Sequence, residues 1–439
     1  MLNLRPYKRS SFLLTSIILL IFIAPAVRFM APISPGTMRW VMALICVLWA
    51  VLFFRKSLAR FIKTNVGVSM LVFSIWCFTT IFWSEYVEMT LSKSVGQFAV
   101  LLGVTVVAYE WASKAKIESV LDPLYAAMLM VLAAALLGQG QATATIGSSS
   151  LYMGMTANPN TFGTMLAMVA CLVVWRTYQS FFAGKKKMIA YTWLGVLLMV
   201  VYYLYQAGSR AAIGMFVITL VSVLLVQPSN RRMKLVALVL SVASLVLVVQ
   251  PTIYDQVVNR LVYKEAPDKD ILYTREEPWK ESYVAAIEGG AFGLGYGVHY
   301  GAEKPLTGTM FTSVGYGREK GNSQMAVIEE VGWAGLGMYL MLLTAWLKTM
   351  FLSLKYAKNK SEKTVVAILI GGILGINFQS FFEQWWVSPG SQEYAFVATF
   401  MAIGMAVHKR LAVRRKYFPH AAELPAVGAK AARAGDAPR

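Results

Sequence analysis

The sequence predicts an all-α polytopic membrane protein, with about twelve transmembrane helices and one large, partly helical periplasmic loop. Three observations carry this. Of the 439 residues, 57% are hydrophobic and only 14% charged, whereas soluble domains average about a quarter charged. Mean hydropathy is +0.56. The apolar residues come in blocks of about 17–25, the length that carries a helix across a bilayer. The basic residues then alternate between loops in the manner of a multi-pass protein. Length alone would suggest about three soluble domains, and the apolar blocks overrule that count.

Proline, glycine and charge clusters divide the chain into helices at 12–30, 38–54, 65–83, 95–110, 120–137, 161–177, 188–206, 211–227, 234–250, 323–347, 364–382 and 394–408. Arg5, Lys8 and Arg9 precede an apolar run ending Ala24-Pro25-Ala26, which has the layout of a secretory signal. We read that run as the first membrane helix. Residues 1–250 thus hold nine helices, 251–322 the large loop and 323–410 the last three. Residues 411–439 form a basic, Ala-rich tail that reads as disordered.

Orientation follows from the loops. With the N-terminus inside, the inner segments carry 29 basic and 6 acidic residues, and the outer ones 12 and 16. Both termini are therefore expected in the cytoplasm. This arrangement accounts for the net charge of +19 as topology and attraction to lipid headgroups, not as a nucleic-acid footprint. Cys46, Cys77 and Cys171 all lie in apolar blocks, with no Cys-x-x-Cys or Cys/His cluster. Neither a disulfide framework nor a zinc site is indicated.

The loop 251–322 is the main functional candidate, because loops of this length without a role are uncommon. It carries Arg260, Arg275, Trp279, His299, Arg318, Glu319, Lys320 and several tyrosines. Aromatic faces stack sugars, and charged groups bind hydroxyls and phosphates. The plainer alternative is a wet loop with tyrosines at the membrane interface. Arg210, in Gly208-Ser209-Arg210-Ala211, sits at a tight outer turn. Its planar fork of donors suits phosphate; the alternative is a snorkelling helix-end residue. His299 is the one histidine placed outside, in reach of acid–base work, although a lone histidine often has a purely structural role. The Gly-rich run Gly289–Gly297 lacks a strand-turn-helix context, and no phosphate-binding Gly-x-x-x-x-Gly-Lys motif exists. We read the run as a flexible or closely packed turn, and expect no nucleotide cofactor.

Four local features resemble the O-antigen ligase family (the Wzy-C superfamily). These are Ala157-Asn158-Pro159-Asn160-Thr161-Phe162-Gly163 before a helix; Gly208-Ser209-Arg210-Ala211; Arg275 and Trp279 followed by Phe292-Gly293-Leu294-Gly295-Tyr296-Gly297; and Asn322, nine residues, then Gly332-Trp333-Ala334-Gly335. Their order and placement match over nearly the full length. The resemblance implies transfer of a glycan from undecaprenyl diphosphate to a sugar hydroxyl of lipid A–core, inverting and independent of metal. Arg210 and Arg275 match the two family arginines by place. Together with His299 and Glu319 they make up the implied catalytic set. Asn158, Asn160, Arg260, Trp279, Arg318, Lys320 and Asn322 are the implied substrate contacts. The family's last motif starts with a histidine where this chain has Gly321, which leaves His299 and Glu319 as alternatives for the base. A polysaccharide polymerase and a protein O-glycosylating enzyme are rival readings within the family. A lipid-linked sugar flippase is a rival outside it. The implied partners are the lipid-linked donor, the lipid A–core acceptor and membrane lipids, with no nucleic acid.

Overall fold

The structure is a computed structural model, and it describes residues 15–17, 36–137, 143–146, 149–153, 156, 159–182, 187–228, 273–301 and 320–417. The expected helices 12–30 (apart from 15–17) and 234–250 lie outside the described residues, as do Asn158, Arg260, Arg318 and Glu319.

The described chain is a helical bundle. Its elements are α1 (Gly36–Phe53), α2 (Arg55–Ile62), α3 (Asn65–Thr79), α4 (Val87–Ala99), α5 (Val106–Lys114), α6 (Asp122–Leu137), α7 (Pro159–Phe182), α8 (Lys187–Ala207), α9 (Arg210–Leu225), α10 (Tyr273–Gly289), α11 (Ser323–Tyr356), α12 (Lys360–Gln379) and α13 (Gln392–Tyr417). Between α6 and α7, β1 (Thr143–Ile146) pairs antiparallel with β2 (Ser149–Tyr152). Among the described residues, seven helices are long and apolar enough to cross a membrane. The protein is a multi-pass helical membrane protein.

Local chemistry explains the boundaries. Thr64 caps α3 by accepting from the N–H of Gly67 at 3.0 Å. Asn359 caps α12 from Glu362 at 2.8 Å, and the Glu362 carboxylate reaches back to the N–H of Lys358. Such caps satisfy backbone donors that a helix start leaves open. One span, Val87–Lys114, joins α4 to α5 through a π-helical stretch at Val100–Thr105, so the helix expected at 95–110 is longer at both ends.

Close helix packing relies on small residues. Gly371 and Gly375 of α12 face α9; a Cβ on them would lie 2.8 Å from the Thr219 Cα and 2.7 Å from the Met215 carbonyl. This is the Gly-x-x-x-Gly approach through which membrane helices gain van der Waals contact. α8 instead exposes Met188, Tyr191, Leu198 and Tyr202, an apolar surface suited to lipid.

One end of the bundle gathers basic segments. Arg414 forms a two-point pair with Glu362 at 2.5 and 2.7 Å, Arg176 pairs with Asp122, and Arg410 donates to the carbonyls of Ala112 and Ala115. The Arg414 pair and the Arg415 guanidinium over the Tyr356 ring carry α13 on to Tyr417, beyond the end expected at residue 408.

Candidate active site at the end opposite the basic segments

At the opposite end, α11 is broken. Gly332 has φ 74° and ψ 179°, a backbone region open essentially to glycine alone. In an unbroken helix, the N–H groups of Trp333 and Ala334 would donate to the carbonyls of Glu329 and Glu330. Here both pairs are exchanged with the Gly-rich run after α10. Trp333 donates to Gly290 at 3.1 Å and Ala334 to Ala291 at 3.2 Å, while Leu294 and Gly295 donate to Glu329 and Glu330 at 2.8 and 3.1 Å. The four backbone groups freed at these two pairs each regain a partner, as membrane depth requires. The run 289–297 is thus the closely packed turn that its glycines suggested: a Cβ on Gly332 would lie 2.1 Å from the Ala291 carbonyl oxygen.

The break sets two carboxylates into a buried charge cluster. The Lys320 Nζ lies 2.7 Å from Glu330 and 3.2 Å from Glu329, and all three side chains are fully buried. Lys93 Nζ lies 2.7 Å from the other Glu330 oxygen. The N–H groups of Gly297 and Tyr300 donate to Glu330 and Glu329 at 2.7 and 2.8 Å. Among the described residues, two ammonium groups and two carboxylates compensate one another, and together they hold the segment 293–301 on α11. His299 is buried in this segment, between Val298 and Tyr300. Lys320, expected to contact substrate, has its ammonium inside this cluster. Lys93 was not singled out from the sequence; a lone lysine entering an apolar block was its only signal.

Beside the cluster, α10, α7 and the start of α11 converge on Glu383. Arg275, in the first turn of α10, reaches Glu383 Oε1 at 2.8 Å, and the Arg275 and Glu383 side chains are 13% and 28% exposed. Asn160, in the first turn of α7, donates to the same oxygen at 3.0 Å. Glu383 lies in the segment between α12 and α13, which wraps the start of α11: Ser323 Oγ donates to the Glu383 carbonyl at 2.7 Å and accepts from the N–H of Trp385 at 2.9 Å. Asn322 caps α11 by accepting from Met325 at 3.0 Å and donates to the Phe381 carbonyl at 3.2 Å. Trp279 spans the junction, its indole N–H shared between the carbonyls of Gly321 and Phe381, each at 3.1 Å.

Two further placements matter. Arg210 opens α9, and Ser209 before it packs onto Gly163 of α7, where a Cβ would lie 2.6 Å from the Ser209 Cβ. Gly163 is three residues beyond Asn160, so the Arg210 turn borders the Glu383 assembly. Gly321 packs against α10, where a Cβ would lie 2.7 Å from Pro278. A side chain there would push α10 away, and with it Arg275. The structure thus brings Asn160, Arg275, Trp279 and Asn322 to one place with Arg210 at its border, and it adds Glu383. Among the described residues no group of three metal-ligating side chains occurs.

In comparison with known proteins, no protein-family model matches the chain and no curated protein sequence matches it.

Proposed function

We propose that this protein is a membrane glycosyltransferase that moves a glycan from undecaprenyl diphosphate to a sugar hydroxyl, with lipid A–core as the acceptor. The single observation that carries this reading is the Arg275–Glu383–Asn160 assembly bordered by Arg210, at the bundle end opposite the basic segments. It supplies the two things the reaction needs. Arginines stabilise charge that develops on a leaving diphosphate, and a carboxylate can accept the proton of the attacking hydroxyl.

In this mechanism the acceptor oxygen attacks the anomeric carbon while its proton passes to Glu383. The bond from that carbon to the phosphate oxygen breaks, and Arg275 and Arg210 take the diphosphate charge. Attack opposite the leaving group inverts the configuration. Glu383 fills the place that the resemblance left open between His299 and Glu319. It reaches the start of α11 from a neighbouring segment, where Gly321 has no side chain to offer.

We place the assembly on the periplasmic side of a bacterial inner membrane and both termini in the cytoplasm. We read twelve crossings: the seven long apolar helices, the shorter α1, α6 and α9, and the sequence segments 12–30 and 234–250. Gly321 at the family's histidine position favours one second reading, a polymerase that joins repeat units. Purified protein given the lipid-linked glycan and lipid A–core tests both. A ladder of glycan on lipid A–core supports the ligase. Lengthening of the lipid-linked glycan alone supports the polymerase. No product with either acceptor contradicts both.

A further inference from the structure

At the basic end of the bundle, the chain turns from α1 into the short helix α2. The spacing of Arg55-Lys56-Ser57-Leu58-Ala59-Arg60-Phe61-Ile62 buries Ser57 and Phe61 and leaves Arg55, Lys56 and Arg60 exposed. α2 is therefore amphipathic, with its cations on one side. Between α2 and the end of α5 lies a cavity of about 360 Å³ lined by Arg55, Lys56, Arg60, Lys114, Ser57 and Glu110. Small-ligand pockets run from about 300 to 1,000 Å³.

The lining is strongly cationic. The Glu110 carboxylate is held by Lys114 and by the Ser57 hydroxyl, so it offsets Lys114. Arg55, Lys56 and Arg60 supply three further positive charges. The Arg55 Nε–H donates to the Val51 carbonyl at 2.9 Å, which anchors the guanidinium at the junction of the two helices. Guanidinium and ammonium groups in this arrangement select a phosphate. The same cavity is also lined by Leu52 and Phe53, which are 56% and 60% exposed and belong to the apolar helix α1. In a membrane-embedded α1 these two side chains face hydrocarbon, so the cavity opens where the lipid phase meets the cations. A lipid supplies a phosphate and a hydrocarbon chain together.

We propose that this cavity binds the headgroup phosphate of an anionic phospholipid, with an acyl chain lying over Leu52 and Phe53. The site is separate from the Arg275–Glu383 assembly and does not depend on the reaction proposed for it.

Native mass spectrometry of the delipidated full-length protein in a neutral detergent tests the proposal. The probes are phosphatidylglycerol and phosphatidylcholine with identical acyl chains, and inorganic phosphate. Phosphatidylglycerol is expected to bind more tightly than phosphatidylcholine. Lys56→Gln should weaken phosphatidylglycerol roughly fivefold, and Arg55→Gln and Arg60→Gln should each add a similar factor. Phosphatidylcholine should be unaffected. Lys348→Gln, a change to an exposed cation outside the cavity, should leave both affinities as they were. Lys56→Gln alone keeps the test readable should the triple variant fail to insert. Equal binding of the two lipids, or phosphatidylglycerol binding that survives removal of the cations, would overturn the proposal. Inorganic phosphate binding as tightly as phosphatidylglycerol would assign the cavity to a soluble anion and overturn the lipid assignment.

Discussion

Arg275 and Glu383 meet at 2.8 Å although 108 residues separate them in sequence. Three features of the chain bring them together: α10 packs against Gly321, the segment after α12 wraps Ser323, and Asn160 approaches the same carboxylate from α7. The pair is partly exposed, so a diphosphate can compete for the guanidinium. Arg275→Ala is expected to lower transfer by about a hundredfold or more, the size of effect seen when one charge-stabilising donor is removed. Arg275→Lys should recover little of it, because an ammonium lacks the planar two-point fork. Arg210→Ala should behave in the same way while the protein still inserts and purifies as a single species. Wild-type transfer by either alanine variant, measured on reconstituted protein, would remove that arginine from the mechanism.

Gly332 carries the break in α11, and its conformation and surroundings both exclude a side chain. Gly332→Ala places a Cβ where the Ala291 carbonyl oxygen now lies and asks alanine to hold φ 74°. A loss of at least about 3 kcal/mol is expected. It should appear as a large drop in the temperature at which the detergent-solubilised protein aggregates. Gly337 has open space where its Cβ would project, so Gly337→Ala should have little effect and serves as the control.

The buried charge cluster makes a different prediction. Removing the Lys320 ammonium leaves Glu329 and Glu330 facing each other with Lys93 as the remaining cation among the described residues. Breaking a buried pair on one side costs about 3–5 kcal/mol. Lys320→Ala should therefore lower stability, and a second change, Glu329→Gln, should restore part of it by removing the excess charge. If the two changes destabilise additively, the groups are not coupled.

Sidedness can be read chemically, because Cys46, Cys77 and Cys171 are all buried and should react poorly with an impermeant reagent. A cysteine at Lys280 should be labelled from outside the inner membrane, and one at Lys358 should not. Reversed labelling would turn the proposed topology over.

The bundle was largely legible in the sequence, for a physical reason: a helix in lipid satisfies its own backbone, so apolar length alone marks it. The break at Gly332 was not. Around it Val331, Trp333, Ala334 and Leu336 are all apolar, and the block reads as unbroken; the exchange of hydrogen bonds with residues 290–295 is a long-range fact. Arg275, Asn160, Trp279 and Asn322 stood out as charged, amide or aromatic groups at outer helix ends, and the structure places them together. Glu383 did not stand out, because it is one acid in the aromatic run Phe381-Phe382-Glu383-Gln384-Trp385-Trp386. Its role depends on that run folding over Ser323. Lys93 was passed over because its counter-charge, Glu330 on α11, is 237 residues away.

Glu383 as the proton acceptor is tested by the single-turnover rate of glycan transfer by Glu383→Gln beside wild type. Glutamine keeps the shape and an oxygen for Arg275 and Asn160 but cannot take the proton at neutral pH. The Glu383→Gln rate is expected to be lower by about a hundredfold or more, the contribution of a general base, with His299→Ala close to wild type in the protein that folds. Wild-type turnover by Glu383→Gln, or a comparable loss confined to His299→Ala, would contradict it.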